Sequence, residues 1–84
     1  NPRRDKNEAS IVLALKQLHC QVERINPVDL MVLTPDSRVL LFEIKTPESK
    51  KRLTKTQQRL IASGWPIYII SNIDQAVALI QKER

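Results

Sequence analysis

Apolar residues recur at helical spacing from about Asn7 to Leu18, where Ile11, Val12, Leu15 and Leu18 form one stripe. The pattern predicts an amphipathic first helix with Asp5 or Asn7 as its N-cap. Glu8 stands one turn before Ile11 and Val12, on that apolar face, which directs a carboxylate toward the core. A first-turn Glu favoured by the helix dipole explains the same residue without a function. Three extended stretches follow, from Gln21 to Ile25, Val28 to Thr34 and Val39 to Lys45, separated by Asn26-Pro27 and by the turn residues Thr34 to Arg38. These read as an antiparallel meander.

Thr54 opens a second helix through a Thr-x-x-Gln capping box with Gln57; Leu60 and Ile61 form its expected buried stripe, and Gly64 its stop. The almost wholly apolar run Pro66 to Ile70 predicts a short strand buried on both faces. A last helix is expected near Ser71 or Asn72, burying Ile73, Ala76, Val77 and Ile80. The order is αβββαβα, without repeats or low-complexity linkers. Its economical solution is one layered α/β domain over residues 1–84, a mixed central sheet flanked by helices.

Composition narrows the possibilities. The hydrophobic share is 42%, but with one Phe, one Trp and one Tyr the core must be filled by Ile, Leu and Val, so it is expected to be thin and to invite a second subunit. The single Cys20 cannot form an internal disulfide, and beside the single His19 it makes no zinc-ligand pattern; a reducing, cytoplasmic setting is expected. No apolar run approaches the length needed to span a bilayer. Asn1 stands where an initiator Met would, which suggests a chain processed or excised from something longer. Fourteen Lys and Arg against nine Asp and Glu give a net charge of +5, compatible with a polyanionic partner or with ordinary solubility.

Side-chain alternation places Asp29, Met31 and Leu33 on one face of their strand, and Val39, Leu41, Glu43 and Lys45 on one face of the next. A hairpin centred on Asp36 sets Leu33 opposite Val39, Met31 opposite Leu41 and Asp29 opposite Glu43. Opposed carboxylates repel, so the arrangement calls for Lys45 or a divalent cation between them. A slip of one residue would separate the two faces. The plain alternative is that all three are exposed residues of a half-solvated hairpin. Against it, the rest of their face is apolar enough to be packed against a helix.

Val28-Asp29-Leu30, then Phe42-Glu43-Ile44-Lys45-Thr46-Pro47, then Leu53-Thr54-x-x-Gln57 and Gly64 before an apolar strand, together resemble the VRR-NUC (virus-type replication-repair nuclease) branch of the PD-(D/E)xK nucleases, from Glu8 to about Ile80. The resemblance implies a metal site of Glu8, Asp29, Glu43 and Lys45, completed by the Ile44 carbonyl. Gln57 matches the family's helical Gln, although its capping role is explanation enough. Pro27-Val28 departs from the Gly and Pro often found before the Asp, which puts the approach of substrate in question and removes no ligand.

The reaction so implied is hydrolysis of DNA phosphodiester bonds with Mg²⁺ or Mn²⁺, whose hard character suits oxygen ligands. Asp29 and Glu43 are expected as direct ligands and Glu8 as a ligand or a holder through water. Lys45 would orient or deprotonate the attacking water, with stabilisation of transition-state charge its safer role. Arg3, Arg4 and Lys6 near the N-terminus, and Lys50, Lys51, Arg52, Lys55 and Arg59 after Lys45, are plausible phosphate contacts or a solvated basic surface. Few aromatic residues argue against base stacking as the main binding mode. Small stand-alone members of this family, typically from phages or bacteria, resemble homodimers acting on four-way (Holliday) junctions and other branched DNA, in DNA repair, which implies the cytoplasm of a bacterial or phage-infected host cell. Within a larger repair protein the substrate could be a flap or a nick. A rival is a non-catalytic nucleic-acid-binding or assembly module, against which the intact Asp29, Glu43 and Lys45 set argues. A His-centred RNA-cleaving enzyme is weaker, since His19 has no evident partners.

Overall fold

The computed structural model describes residues 7–45 and 52–82. The chain runs α1 (Glu8–Gln17), β1 (Gln21–Arg24), β2 (Leu30–Leu33), β3 (Val39–Ile44), α2 (Lys55–Ala62), β4 (Ile67–Ile70) and α3 (Ile73–Gln81), the order expected from the sequence. One mixed sheet has the spatial order β1-β2-β3-β4. The first three strands form the antiparallel meander, and β4 joins β3 in parallel. A parallel return needs a crossover, which the α2 segment supplies.

Local chemistry sets the ends of these elements. At α1, Asn7 occupies the cap position but has helical backbone angles and makes no side-chain cap bond; its Nδ2 instead donates to the Ser71 carbonyl at 2.7 Å. The other cap expected there, Asp5, lies outside the described residues. His19, in the left-handed region at φ 67°, ends α1, with its N–H on the Lys16 carbonyl and the Cys20 N–H on that of Leu15. Gly64 at φ 102° repeats this paired closure after α2, with Trp65 N–H reaching back to the Leu60 carbonyl. Asn72 caps α3 by accepting from the Gln75 N–H.

The core lies on one face of the sheet. Leu30, Val32, Leu40, Phe42, Ile44 and Ile70 meet Ile11 and Leu15 of α1 and Ala76 and Ile80 of α3, all buried. The opposite face departs from expectation. Met31, Leu33 and Val39, which the sequence places under a helix, are 40%, 37% and 58% exposed. The eight-residue α2 reaches only the Glu43 end of that face, so no described element covers the other end.

Three further expectations are corrected. The run Ile67 to Ile70 is an edge strand, with Tyr68 and Ile69 exposed, because the sheet ends there. In α2 the apolar stripe is not buried: Leu60 is half-buried, Ile61 is exposed, and the buried residue is Gln57. Ile73 is exposed in the first turn of α3, leaving Ala76 and Ile80 as its inward residues.

The β2–β3 hairpin closes through Thr34 to Arg38, with Ser37 at φ 69° and the Thr34 N–H donating to the Arg38 carbonyl. Arg38 then reaches the Leu79 and Ile80 carbonyls at the end of α3, where a cation also suits the helix dipole. The Thr34 hydroxyl donates to the Asp36 carboxylate, and this bond, with Arg38 beside it, holds the Asp36 pKa below its ordinary 3.8 although the group is solvent-exposed. A carboxyl depressed in the folded state stabilises the fold above its unfolded pKa and loses that contribution as pH falls through the folded value. An NMR pH titration is expected to show Asp36 ionising below 3.8, and Thr34→Val to move it upward.

Candidate active site

The hairpin register is the one the alternation demands: Leu33 pairs Val39, Met31 pairs Leu41 and Leu30 pairs Phe42. The regular ladder stops at this last pair. Beyond it the Asp29 N–H also donates to the Phe42 carbonyl, at 3.0 Å, and the Ile44 N–H is taken by the Asp29 carboxylate at 2.8 Å. Regular alternation would give that N–H to the main chain of Val28. A side chain therefore replaces a ladder acceptor, fixing the Asp29 carboxylate at the last residue of β3.

Glu43 is the adjacent residue, 4% exposed despite its charge. Its Oε1 accepts from Gln57 Nε2 at 2.9 Å and its Oε2 lies 3.1 Å from Lys45 Nζ. Leaving a buried carboxylate without such partners costs several kcal/mol, roughly. Lys45 is itself positioned on several sides. Its N–H donates to the Ile70 carbonyl at 2.8 Å, its carbonyl accepts from the Ser71 hydroxyl, and Nζ also reaches the Arg52 carbonyl at 3.4 Å.

Gln57 forms the capping box that its sequence position suggested and also touches Glu43. Its Oε1 accepts from the Thr54 N–H and its own N–H donates to the Thr54 hydroxyl, completing the capping box. Nε2, on the other side of the amide, binds Glu43 and the Pro27 carbonyl. One side chain thus joins the start of α2, the β1–β2 connection and the buried carboxylate.

Glu8 is 3% exposed, so it does face inward from the first turn of α1. Its Oε2 meets Arg24 Nε at 2.8 Å. Among the described residues no three His, Cys, Asp or Glu side chains come close enough together to hold an ion. Asp29 and Glu43 are brought to neighbouring positions, the Asp29 carboxylate on the Ile44 N–H and Glu43 one residue before it on β3. Even-numbered residues of β3 turn N–H and carbonyl toward β2, as Ile44 does toward Asp29, and odd-numbered ones toward β4, as Lys45 does toward Ile70. The Ile44 carbonyl is therefore directed to the Asp29 side. Two carboxylates and one carbonyl are an all-oxygen donor set that fits a hard divalent cation of the Mg²⁺ kind, which leaves several positions to water and phosphate.

Arg52, Lys55 and Arg59 are exposed along the approach to α2 and on the helix itself. Arg3, Arg4, Lys6, Lys50 and Lys51 lie outside the described residues. Sequence reasoning missed Arg24 as the partner of Glu8 and the Pro27 carbonyl as the anchor of Gln57. Arg24 carried no signal beyond its place in a strand. Asn26-Pro27 was legible only as a turn, and its peptide bond is cis.

No protein-family model matches the sequence, and no curated protein does. In structure the chain is similar to a solved "VRR_NUC domain", with 15% identity, 98% of each chain covered and a TM-score of 0.68. At that identity the likeness is one of fold. The chain has the α/β fold of a VRR_NUC domain, a four-stranded mixed sheet flanked by helices.

Proposed function

We propose that this chain is a metal-dependent endonuclease that hydrolyses DNA phosphodiester bonds. The observation that carries the reading is the Asp29 carboxylate on the Ile44 N–H next to the Glu43–Lys45 ion pair at the end of β3, inside a fold shared with a VRR_NUC domain. Asp29, Glu43 and the Ile44 carbonyl would hold Mg²⁺ or Mn²⁺, with Glu8 contributing through water from its place beside Arg24. When bound, the cation supplies an activated water and neutralises charge on the phosphate.

The chain's own residues do the rest. Lys45 keeps its ammonium at the Glu43 carboxylate, where it orients the attacking water and offsets charge that builds on the phosphate. Gln57 keeps Glu43 from rotating away. Arg52, Lys55 and Arg59, joined by Arg3, Arg4, Lys50 and Lys51, contact the backbone on either side of the cut, which favours recognition by shape. The preferred substrate in this reading is branched DNA, four-way junctions first, cut by a homodimer whose two-fold symmetry matches the junction. A non-catalytic binding module is the second reading. The buried Glu43 speaks against it, since a binder gains nothing from a carboxylate that must be held in place by Lys45 and Gln57.

The direct test is cleavage of labelled four-way junction, flap and linear duplex DNA in Mg²⁺ or Mn²⁺. Cutting is expected to favour the junction and to vanish in EDTA and in Lys45→Ala; binding without cutting under either metal would leave only the binding module. Glu43→Gln should retain a partner for the Gln57 amide, and hence the fold, while losing on the order of 100-fold or more in cleavage rate. Gln57→Ala removes the amide that donates to the Pro27 carbonyl and to Glu43, so denaturant unfolding should show a loss of about 1–3 kcal/mol. Alanine at Arg52, Lys55 or Arg59 should weaken DNA binding alike for all sequences and reduce the salt slope by about one each, as followed by anisotropy at several salt concentrations.

A further inference from the structure

Beside the candidate active site lies a cavity of about 290 Å³ whose wall is wholly apolar, formed by Ile25, Pro27, Leu41, Leu60, Trp65 and Ile67 among others. It belongs to the same sheet face as Glu43. Leu41 precedes Glu43 by two residues on β3, and its partner Ile67 precedes Ile69, the partner of Glu43, by two on β4. At the rise of an extended strand the cavity therefore begins about 7 Å along β3 from the catalytic carboxylate. Pro27 contributes to its wall and also holds Gln57 through its carbonyl.

Trp65, the one tryptophan of the chain, is 56% exposed at the rim, immediately after Gly64 ends α2. An exposed indole lining an apolar cavity can serve as a stacking platform, and every nucleobase has a face to stack on it. Charge selects the occupant. Leu60 lines the cavity from α2, the helix whose exposed Lys55 and Arg59 suit flanking phosphates rather than an apolar peptide or a lipid.

We propose that this cavity receives an unpaired nucleobase, stacked on Trp65, next to the Asp29 and Glu43 site, so that the enzyme engages DNA at a locally single-stranded nucleotide. The inference rests on the nuclease reading and names its substrate feature. It also gives the few aromatic residues of this chain one place where stacking contributes.

Trp65 makes the test direct. Its fluorescence is followed in EDTA, where cleavage plays no part, while adding either an oligothymidylate of about eight nucleotides, an ordinary single-strand site size, or a tetrahydrofuran phosphate chain of equal length that lacks bases. The oligothymidylate is expected to quench Trp65 and to bind roughly 5- to 150-fold more tightly than the baseless chain, the span for one stacked base. With fluorescein-labelled strands read by anisotropy, Trp65→Ala should abolish that difference, whereas Arg59→Ala should weaken both strands equally. Substituting a ring this exposed leaves the core intact. Equal binding of the two strands with no quenching overturns the proposal, even if the protein cuts DNA. Base-dependent quenching without cleavage would uphold the cavity and remove the nuclease reading.

Discussion

A buried carboxylate must have its oxygens satisfied or it destabilises the fold, and Glu43 imposes that condition on three separate parts of the chain. Gln57 answers it from α2 and Lys45 from the end of β3, and Pro27 anchors Gln57 in turn. The position of α2 follows from this requirement more than from apolar burial, since its inward residue is Gln57 and its leucine and isoleucine remain partly or largely open. The usual logic of a surface helix, an apolar stripe against a core, is replaced here by a polar anchor whose backbone also forms the capping box.

The core and the site occupy opposite faces of the same strands. Leu40, Phe42 and Ile44 point into the layer under α1 and α3, while Leu41 and Glu43 point to α2, so β3 serves both through simple alternation. Asp29 joins the site because the ladder gives way beyond Leu30 and Phe42, and its carboxylate takes over a main-chain position. Rigid packing behind the strand thus fixes the two carboxylates without either being part of the core, the arrangement a preorganised site requires.

Much of this was legible in the sequence because it depends on period and turn position. The hairpin centred on Asp36 gave the register as far as Leu30 and Phe42, but the last step, Asp29 bonding the Ile44 N–H through its side chain, carried no signal in the alternation. Thr54 and Gln57 at capping-box spacing gave the start of α2. Burial was less legible, because it depends on what lies across space. The apolar run at Ile67 to Ile70 reads like a central strand, yet nothing in it reveals that the sheet ends there and leaves Ile69 open. Met31, Leu33 and Val39 look like core until the reach of α2 is known. Glu8 was placed inward correctly, but its pairing with Arg24 needed the position of β1.

The cation site proposed at Asp29, Glu43 and the Ile44 carbonyl is open to a direct measurement. Amide NMR spectra recorded with substoichiometric Mn²⁺ test it most directly, since a paramagnetic ion broadens the resonances of the residues around it. Selective broadening at Asp29, Glu43, Ile44 and Lys45, relieved by excess Mg²⁺ and lost in Glu43→Gln, is the predicted result. Broadening centred on other acidic residues such as Asp36 or Asp74, or none at all, would contradict it.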